Sequence, residues 1–215
     1  MDVRSVAVET SGATLTGDLA VASDVSGVVL FAHGSGSSRH SPRNKAVAEA
    51  LNKSGFGTLL VDLLTEDEER IDEATRGLRF DIPLLTQRLT GSVDWLDRVP
   101  ETAGLPVGLF GASTGAAAAI RTAAQRPDRI KAVVSRGGRV DLADDALDRL
   151  RSPIMLLAGS ADEAIVQISF EAANRLHVVN DVHLIPGATH LFTEPGALEQ
   201  VTGAAMAWFR DHLGT

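Results

Sequence analysis

The segment Val107-Gly108-Leu109-Phe110-Gly111-Ala112-Ser113-Thr114-Gly115 runs directly into an Ala-rich stretch that begins at Ala116. An apolar run ends on a glycine, a serine stands two residues on, and a second glycine precedes residues of high helix propensity. This order predicts a strand, a tight turn and a helix. In such a turn the serine takes a strained backbone conformation, and Gly111 and Gly115 let strand and helix approach closely enough to hold it. The hydroxyl of Ser113 then projects from the carboxyl end of the strand, beside the positive end of the following helix. Ser113 is therefore a candidate nucleophile. The competing reading is a structural glycine turn, and the surrounding chain decides between the two.

Working outward, Val28-Val29-Leu30-Phe31-Ala32 is a second continuous apolar run, as expected of a central strand covered on both faces by helices. It ends in the glycine-bearing loop His33-Gly34-Ser35-Gly36. Ahead of it, Val3 to Glu9 and Thr14 to Val21 flank the turn Ser11-Gly12-Ala13 and predict an antiparallel hairpin. After it, Ser41-Pro42 opens a helix that Gly55 stops, and Phe56 to Asp62 is a strand. Thr65-Glu66-Asp67-Glu68 has the reciprocal pattern that opens a helix, so the acidic run Glu66 to Glu69 reads as a solvated first turn and not as a metal site. Leu85, Leu89, Val93 and Leu96 recur at helical spacing within Ile82 to Leu96. Beyond Ser113, strands are expected at Ile130 to Val134, Ile154 to Ala158 and Val182 to Ile185. Helices are expected at Asp141 to Leu150, Ile165 to Leu176 and Ala197 to Leu213.

A hairpin followed by repeated strand and helix units implies an α/β class, with a mostly parallel sheet of about eight strands sandwiched by helices. The 215 residues suffice for a single domain, and no linker divides residues 1–215. Only about fifteen residues separate Arg136 from Arg151, which leaves no room there for a large cap domain. A net charge of −8 argues against nucleic acid or an anionic membrane as partner. Cysteine is absent, which excludes disulfides, thiolate metal sites and a catalytic cysteine. Met1-Asp2-Val3-Arg4-Ser5 is not a basic segment leading into a hydrophobic run, and a cytoplasmic location is the expectation. The sequence leaves the oligomeric state open.

Ligands of parallel sheets bind beyond the carboxyl ends of the strands. A serine hydroxyl there needs a base within hydrogen-bond reach and a third group to fix the base's tautomer. Of six histidines, only His190 lies in the loop after the last expected strand, in Gly187-Ala188-Thr189-His190, so it is the candidate base. His177, His183 and His212 read as structural or solvated. Asp162, just beyond Ile154 to Ala158, is the candidate acid, with Glu163 as substitute and a helix cap as the plainer role for Asp162. The order Ser, Asp, His along the chain accords with this assignment. Attack on a carbonyl also needs amide donors aimed at the developing oxyanion, and the N–H groups of Thr114 and Ser35 are the candidates. His33 is expected to brace the Ser35 loop. Arg39 and Arg136 lie after strands and are candidates for recognising a substrate carboxylate or phosphate, against the commoner role of surface charge. Arg70 to Asp81 is placed at the pocket rim.

With these residues in view, nearly the whole chain resembles the small α/β hydrolases, close to the dienelactone hydrolase-like branch. The likeness is carried by the His33-Gly34 loop, Gly111-Ala112-Ser113-Thr114-Gly115, the Asp162 loop and His190. It implies a serine hydrolase cleaving ester or lactone bonds of small molecules through an acyl-enzyme, with no metal and no organic cofactor. Dienelactone hydrolases proper carry cysteine where this chain has Ser113, so their particular lactone does not transfer. A non-catalytic binding protein on the same fold and an acyltransferase using the same serine are the alternatives.

Overall fold

Strand β5 (Val107–Ala112) is buried along its whole length, as its unbroken apolar sequence requires. It sits near the middle of the sheet in the computed structural model, which describes residues 1–213. Seven further strands complete the sheet: β1 (Val3–Thr10), β2 (Ala13–Ala20), β3 (Val28–Ala32), β4 (Gly57–Val61), β6 (Ile130–Arg136), β7 (Ile154–Gly159) and β8 (Asn180–Ile185). Their order is β1-β2-β4-β3-β5-β6-β7-β8. The expected hairpin of β1 and β2 is antiparallel and joins β4 antiparallel; every other pairing is parallel. The expected α/β hydrolase architecture, eight strands with helices on both faces, is the one observed.

Side chains alternate across the sheet, so each strand feeds two cores. Leu30, Leu59, Leu109 and Val133 pack on one face beneath α3 (Ile82–Leu96) and α4 (Thr114–Gln125). Phe31, Leu60, Phe110 and Val134 pack on the other beneath α1 (Pro42–Lys53) and α7 (Ala197–Leu213). The rings of Phe31 and Phe110 lie 5.0 Å apart between neighbouring strands. Truncating either to alanine would cost about 3–5 kcal/mol, because a filled core cannot collapse around the void.

Local chemistry sets the helix ends. Ser41 accepts from Asn44 N–H with Pro42 in the first turn, and Thr65 forms the complete capping box with Glu68 at the start of α2 (Glu66–Thr75). The acidic run is thus a first helical turn, as read from the sequence. The expected helix from Asp141 to Leu150 is broken instead. A 3-10 turn, Val140–Ala143, stops at Asp144, whose φ of 55° leaves the helical region, and only the single turn α5 (Ala146–Arg149) follows. Helix α6 (Glu163–Arg175) starts two residues earlier than expected, and β8 likewise begins at Asn180 instead of Val182. Among the described residues no helix is long and apolar enough to cross a membrane.

Candidate active site

Ser113 is the N-cap of α4, with φ 50° and ψ −120°. A non-glycine residue held there stores strain on the order of 1–3 kcal/mol, which only a rigid surround sustains. The surround is specific. Ser113 N–H donates to Arg136 O at 3.2 Å, and its carbonyl accepts from Ala116 N–H at 3.1 Å and Arg139 N–H at 3.0 Å. A Cβ added to Gly115 would lie 2.3 Å from Ala32 O and 2.5 Å from His33 O, so only glycine lets α4 seat against the end of β3. The serine hydroxyl makes no cap bond to its helix, which leaves it available for chemistry.

The loop after β3 is fixed by His33. This residue is 7% exposed; its Nδ1–H donates to Gly34 O at 2.9 Å, while Nε2 accepts from Leu63 N–H at 3.0 Å. Those partners set one neutral tautomer, and burial pushes the imidazole pKa down from its usual value. The expected bracing role is what the contacts describe. The loop closes on the turn: a Cβ built on Gly34 would stand 3.0 Å from Ser113 Cβ. Among the described residues, no turn, loop or cap backbone hydrogen bond uses Ser35 N–H or Thr114 N–H. Thr114 is also the first residue of α4, where amides have no partner within the helix.

His190 lies on the loop after β8, with a side chain 42% exposed, and its Nδ1–H donates to Asp162 Oδ2 at 2.7 Å. Asp162 precedes α6 yet makes no side-chain cap bond, so its carboxylate serves the imidazole and not the helix. Glu163 is the first residue of α6 and is exposed. With Nδ1 carrying the proton, Nε2 is left as the basic nitrogen. The two loops are stitched together by Ser160 N–H to Ile185 O, Ala161 N–H to Ala188 O and Gly187 N–H to Ser160 Oγ, all between 2.8 and 3.0 Å. A Cβ on Gly159 would meet Ala188 O at 2.3 Å. Gly159 and Ser160 are the supports that sequence reasoning missed; a glycine at the carboxyl end of β7 beside the acid is the signal that could have found them. Phe192, 2% exposed and at φ 53°, pins the His190 loop to the core.

The structure therefore joins Asp162 to His190 and sets the Ser35 loop against Ser113. His190 Cε1 lies 3.6 Å from a Cβ position built on Gly137, the residue that follows Ser113's hydrogen-bond partner Arg136. Among the described residues no hydrogen bond links Ser113 Oγ to His190 Nε2, a bond that in proteins without substrate is often long or unformed. A cleft of about 460 Å³ is lined by Ser35 and Thr114 and by Asp72, Glu73 and Arg79 of the segment expected at the rim. Ser113 and His190 are not among its lining residues.

The two candidate arginines differ. Arg39 is engaged by acids: its N–H donates to Asp62 Oδ1 at 2.6 Å, its Nη1 pairs with Asp62 Oδ2, and its Nε lies 3.5 Å from Asp18. Arg136 is 8% exposed, has no ion pair among the described residues, and stands over the Phe192 ring at 6.0 Å. No group of three or more His, Cys, Asp or Glu among the described residues could hold a metal ion.

Comparison with known proteins follows this geometry. A crystal structure of dienelactone hydrolase from Anabaena variabilis superposes with a TM-score of 0.96 at 49% identity, covering 98% of each chain. Est1E from Butyrivibrio proteoclasticus shares the fold at TM-score 0.82 and 18% identity, covering 98% of this chain and 99% of its own. Two Mycobacterium tuberculosis proteins, each named "Putative phosphoribosyl transferase", are 50% identical over 199 residues, or 93% of this chain. The chain spans only 44% of their length. The family model for dienelactone hydrolases matches residues 14–212, and the chain belongs to the dienelactone hydrolase family.

Proposed function

We propose that this protein is a serine hydrolase that opens ester or lactone bonds of small molecules. The observation that carries the reading is the strained conformation of Ser113 at the head of α4, on the same carboxyl edge of the sheet as a carboxylate-bound imidazole. His190 Nε2 takes the Ser113 proton as the hydroxyl attacks the carbonyl carbon, and Asp162 holds the ring and offsets its positive charge. The Thr114 and Ser35 amides receive the developing oxyanion. Collapse expels the alkoxide, which takes the proton from His190. A water deprotonated by His190 then cleaves the acyl-enzyme and restores the serine. In a lactone the leaving alkoxide stays on the acyl group, and a single hydroxy acid departs.

Membership of a hydrolase family, and a 49%-identical relative named dienelactone hydrolase, support hydrolysis over a transferase reading. The transferase name belongs to proteins more than twice as long as the region matched here. The strain at Ser113 counts against a scaffold without turnover, because a binding protein gains nothing from holding it. The test is a panel of short esters and lactones presented to the wild type and to Ser113→Ala side by side. Turnover by the wild type and its loss in the variant is the expected result. Equal activity in both would refute the reading.

A further inference from the structure

Thr114 offers its amide to the candidate oxyanion position, and its hydroxyl is a second donor with nothing to bond. The residue is 2% exposed, it lines the same cleft as Ser35, and its Oγ1 is buried with no hydrogen-bond partner among the described residues. Buried hydroxyls on two other helices are satisfied locally. Thr86 and Ser92 of α3 and Ser169 of α6 each donate to the carbonyl four residues back, at 2.7 to 2.9 Å. Thr114 has no preceding helical turn to offer one, because it is the first residue of α4. The residue four back, Phe110, lies within β5 and pairs in register with Phe31 and Val134. The turn at Ser113 thus leaves a donor without an acceptor at the place where the site must meet an oxygen.

A buried hydroxyl without a partner destabilises the fold, and an apolar group of the same shape would not, unless an acceptor arrives with the substrate. Two features set where that acceptor sits. Side chains on a helix lean toward its N-terminus, so that of Thr114 leans back toward the Ser113 turn and the carboxyl edge of the sheet. Threonine on a helix also favours the two χ1 wells that keep Oγ1 gauche to its own nitrogen, which sets hydroxyl and amide side by side. Gly34, where an added Cβ would stand 3.0 Å from Ser113 Cβ, closes the loop bearing Ser35 onto the same turn. We infer that the Thr114 hydroxyl is a third oxyanion donor, which makes Thr114 a catalytic residue through its side chain as well as its amide. The inference rests on the serine hydrolase reading. As Ser113 Oγ bonds to the carbonyl carbon, the π electrons of C=O move onto oxygen, and the hydrogen bond from Thr114 Oγ1–H strengthens without proton transfer. Collapse of the tetrahedral intermediate restores the carbonyl and relaxes that bond. A donor of this kind acts on every ester, whatever its acyl chain.

Two substitutions test it. Thr114→Val keeps the shape and the amide and removes only the hydroxyl, whereas Thr114→Ser keeps the hydroxyl. Acylation and deacylation both pass through an oxyanion, so Thr114→Val should lose at least about tenfold in kcat on both 4-nitrophenyl acetate and 4-nitrophenyl butyrate, with KM within about twofold. Thr114→Ser should turn over both esters at least about fivefold faster than Thr114→Val. Capture of Ser113 by a fluorophosphonate should slow at least about fivefold in Thr114→Val, since the phosphonyl oxygen takes the same donors. The thermal midpoint of Thr114→Val should equal or exceed that of the wild type, because a buried hydroxyl without a partner is gone. A midpoint well below it would give the hydroxyl a structural bond and overturn the inference. So would a Thr114→Val kcat within about twofold of wild type, a loss confined to KM or to one ester, or a Thr114→Ser protein as slow as Thr114→Val. Ester turnover that needs Ser113 but not the Thr114 hydroxyl refutes the third donor alone. A wild type that neither turns over an ester nor takes the fluorophosphonate refutes the serine hydrolase reading, and the donor with it.

Discussion

His33 and His190 both follow strands of one sheet at the carboxyl edge, yet they are built for opposite purposes. His33 leaves the buried strand β3 and is gripped at both ring nitrogens by backbone groups, Gly34 O and Leu63 N–H. His190 leaves β8, a strand at the sheet edge with an alternating pattern of exposure, and only Nδ1 is held, by Asp162. The first arrangement immobilises an imidazole and removes it from proton exchange. The second orients a ring while leaving Nε2 and some freedom to move. On the proposed function, position in the sheet separates the two strand-end histidines: central burial uses one ring as a brace, and the edge position leaves the other free for the role of base.

The comparison breaks first at Ser113, the proposed nucleophile, which His190 and not His33 would serve. Ser113→Ala should lower kcat/KM for a short ester by about 10⁴-fold or more, read by initial rates. Next comes the clamp on His190. Asp162→Asn should reduce kcat by about 10²–10⁴-fold through the wrong tautomer, whereas Glu163→Gln should stay within about threefold. Comparable losses in the two would mean that the carboxylate seen beside His190 is not the one that orients it. The His33 region should answer in stability. Gly115→Ala forces a Cβ against Ala32 O and His33 O and should cost about 2–4 kcal/mol in urea unfolding. The smallest effect is pH-dependent. Because burial lowers the His33 pKa below its unfolded value of 6.5, the unfolded chain binds the proton more tightly. His33 therefore contributes stability that is fully present above about pH 6.5 and fades as pH falls below it. His33→Gln should flatten that acid-side slope in urea midpoints; an unchanged slope would show that the ring is not held neutral.

The fold was legible wherever apolar runs were long and their ends carried turn or cap chemistry. β3 and β5 follow from their continuous apolar runs and α3 from helical spacing, and the capping box at Thr65 placed α2. The break at Asp144 was not legible, because Asp141 to Leu150 has helical composition and only the positive φ of Asp144 interrupts it. In the site, Ser113, His190 and Asp162 stood out because each follows a strand and carries the right chemistry. What stayed hidden were the contacts made between loops remote in sequence. Gly159 beneath Ala188, the Ser160 bond to Gly187 and the engagement of Arg39 by Asp18 and Asp62 depend on which strands become neighbours.

The most direct test of Ser113 as a nucleophile activated by His190 is covalent capture with a fluorophosphonate, followed by peptide mapping of the adduct. A single adduct on the peptide containing Ser113, absent in Ser113→Ala and formed far more slowly in His190→Ala, is the predicted result. An adduct on another residue, or ester turnover by a protein whose Ser113 is never labelled, would contradict it.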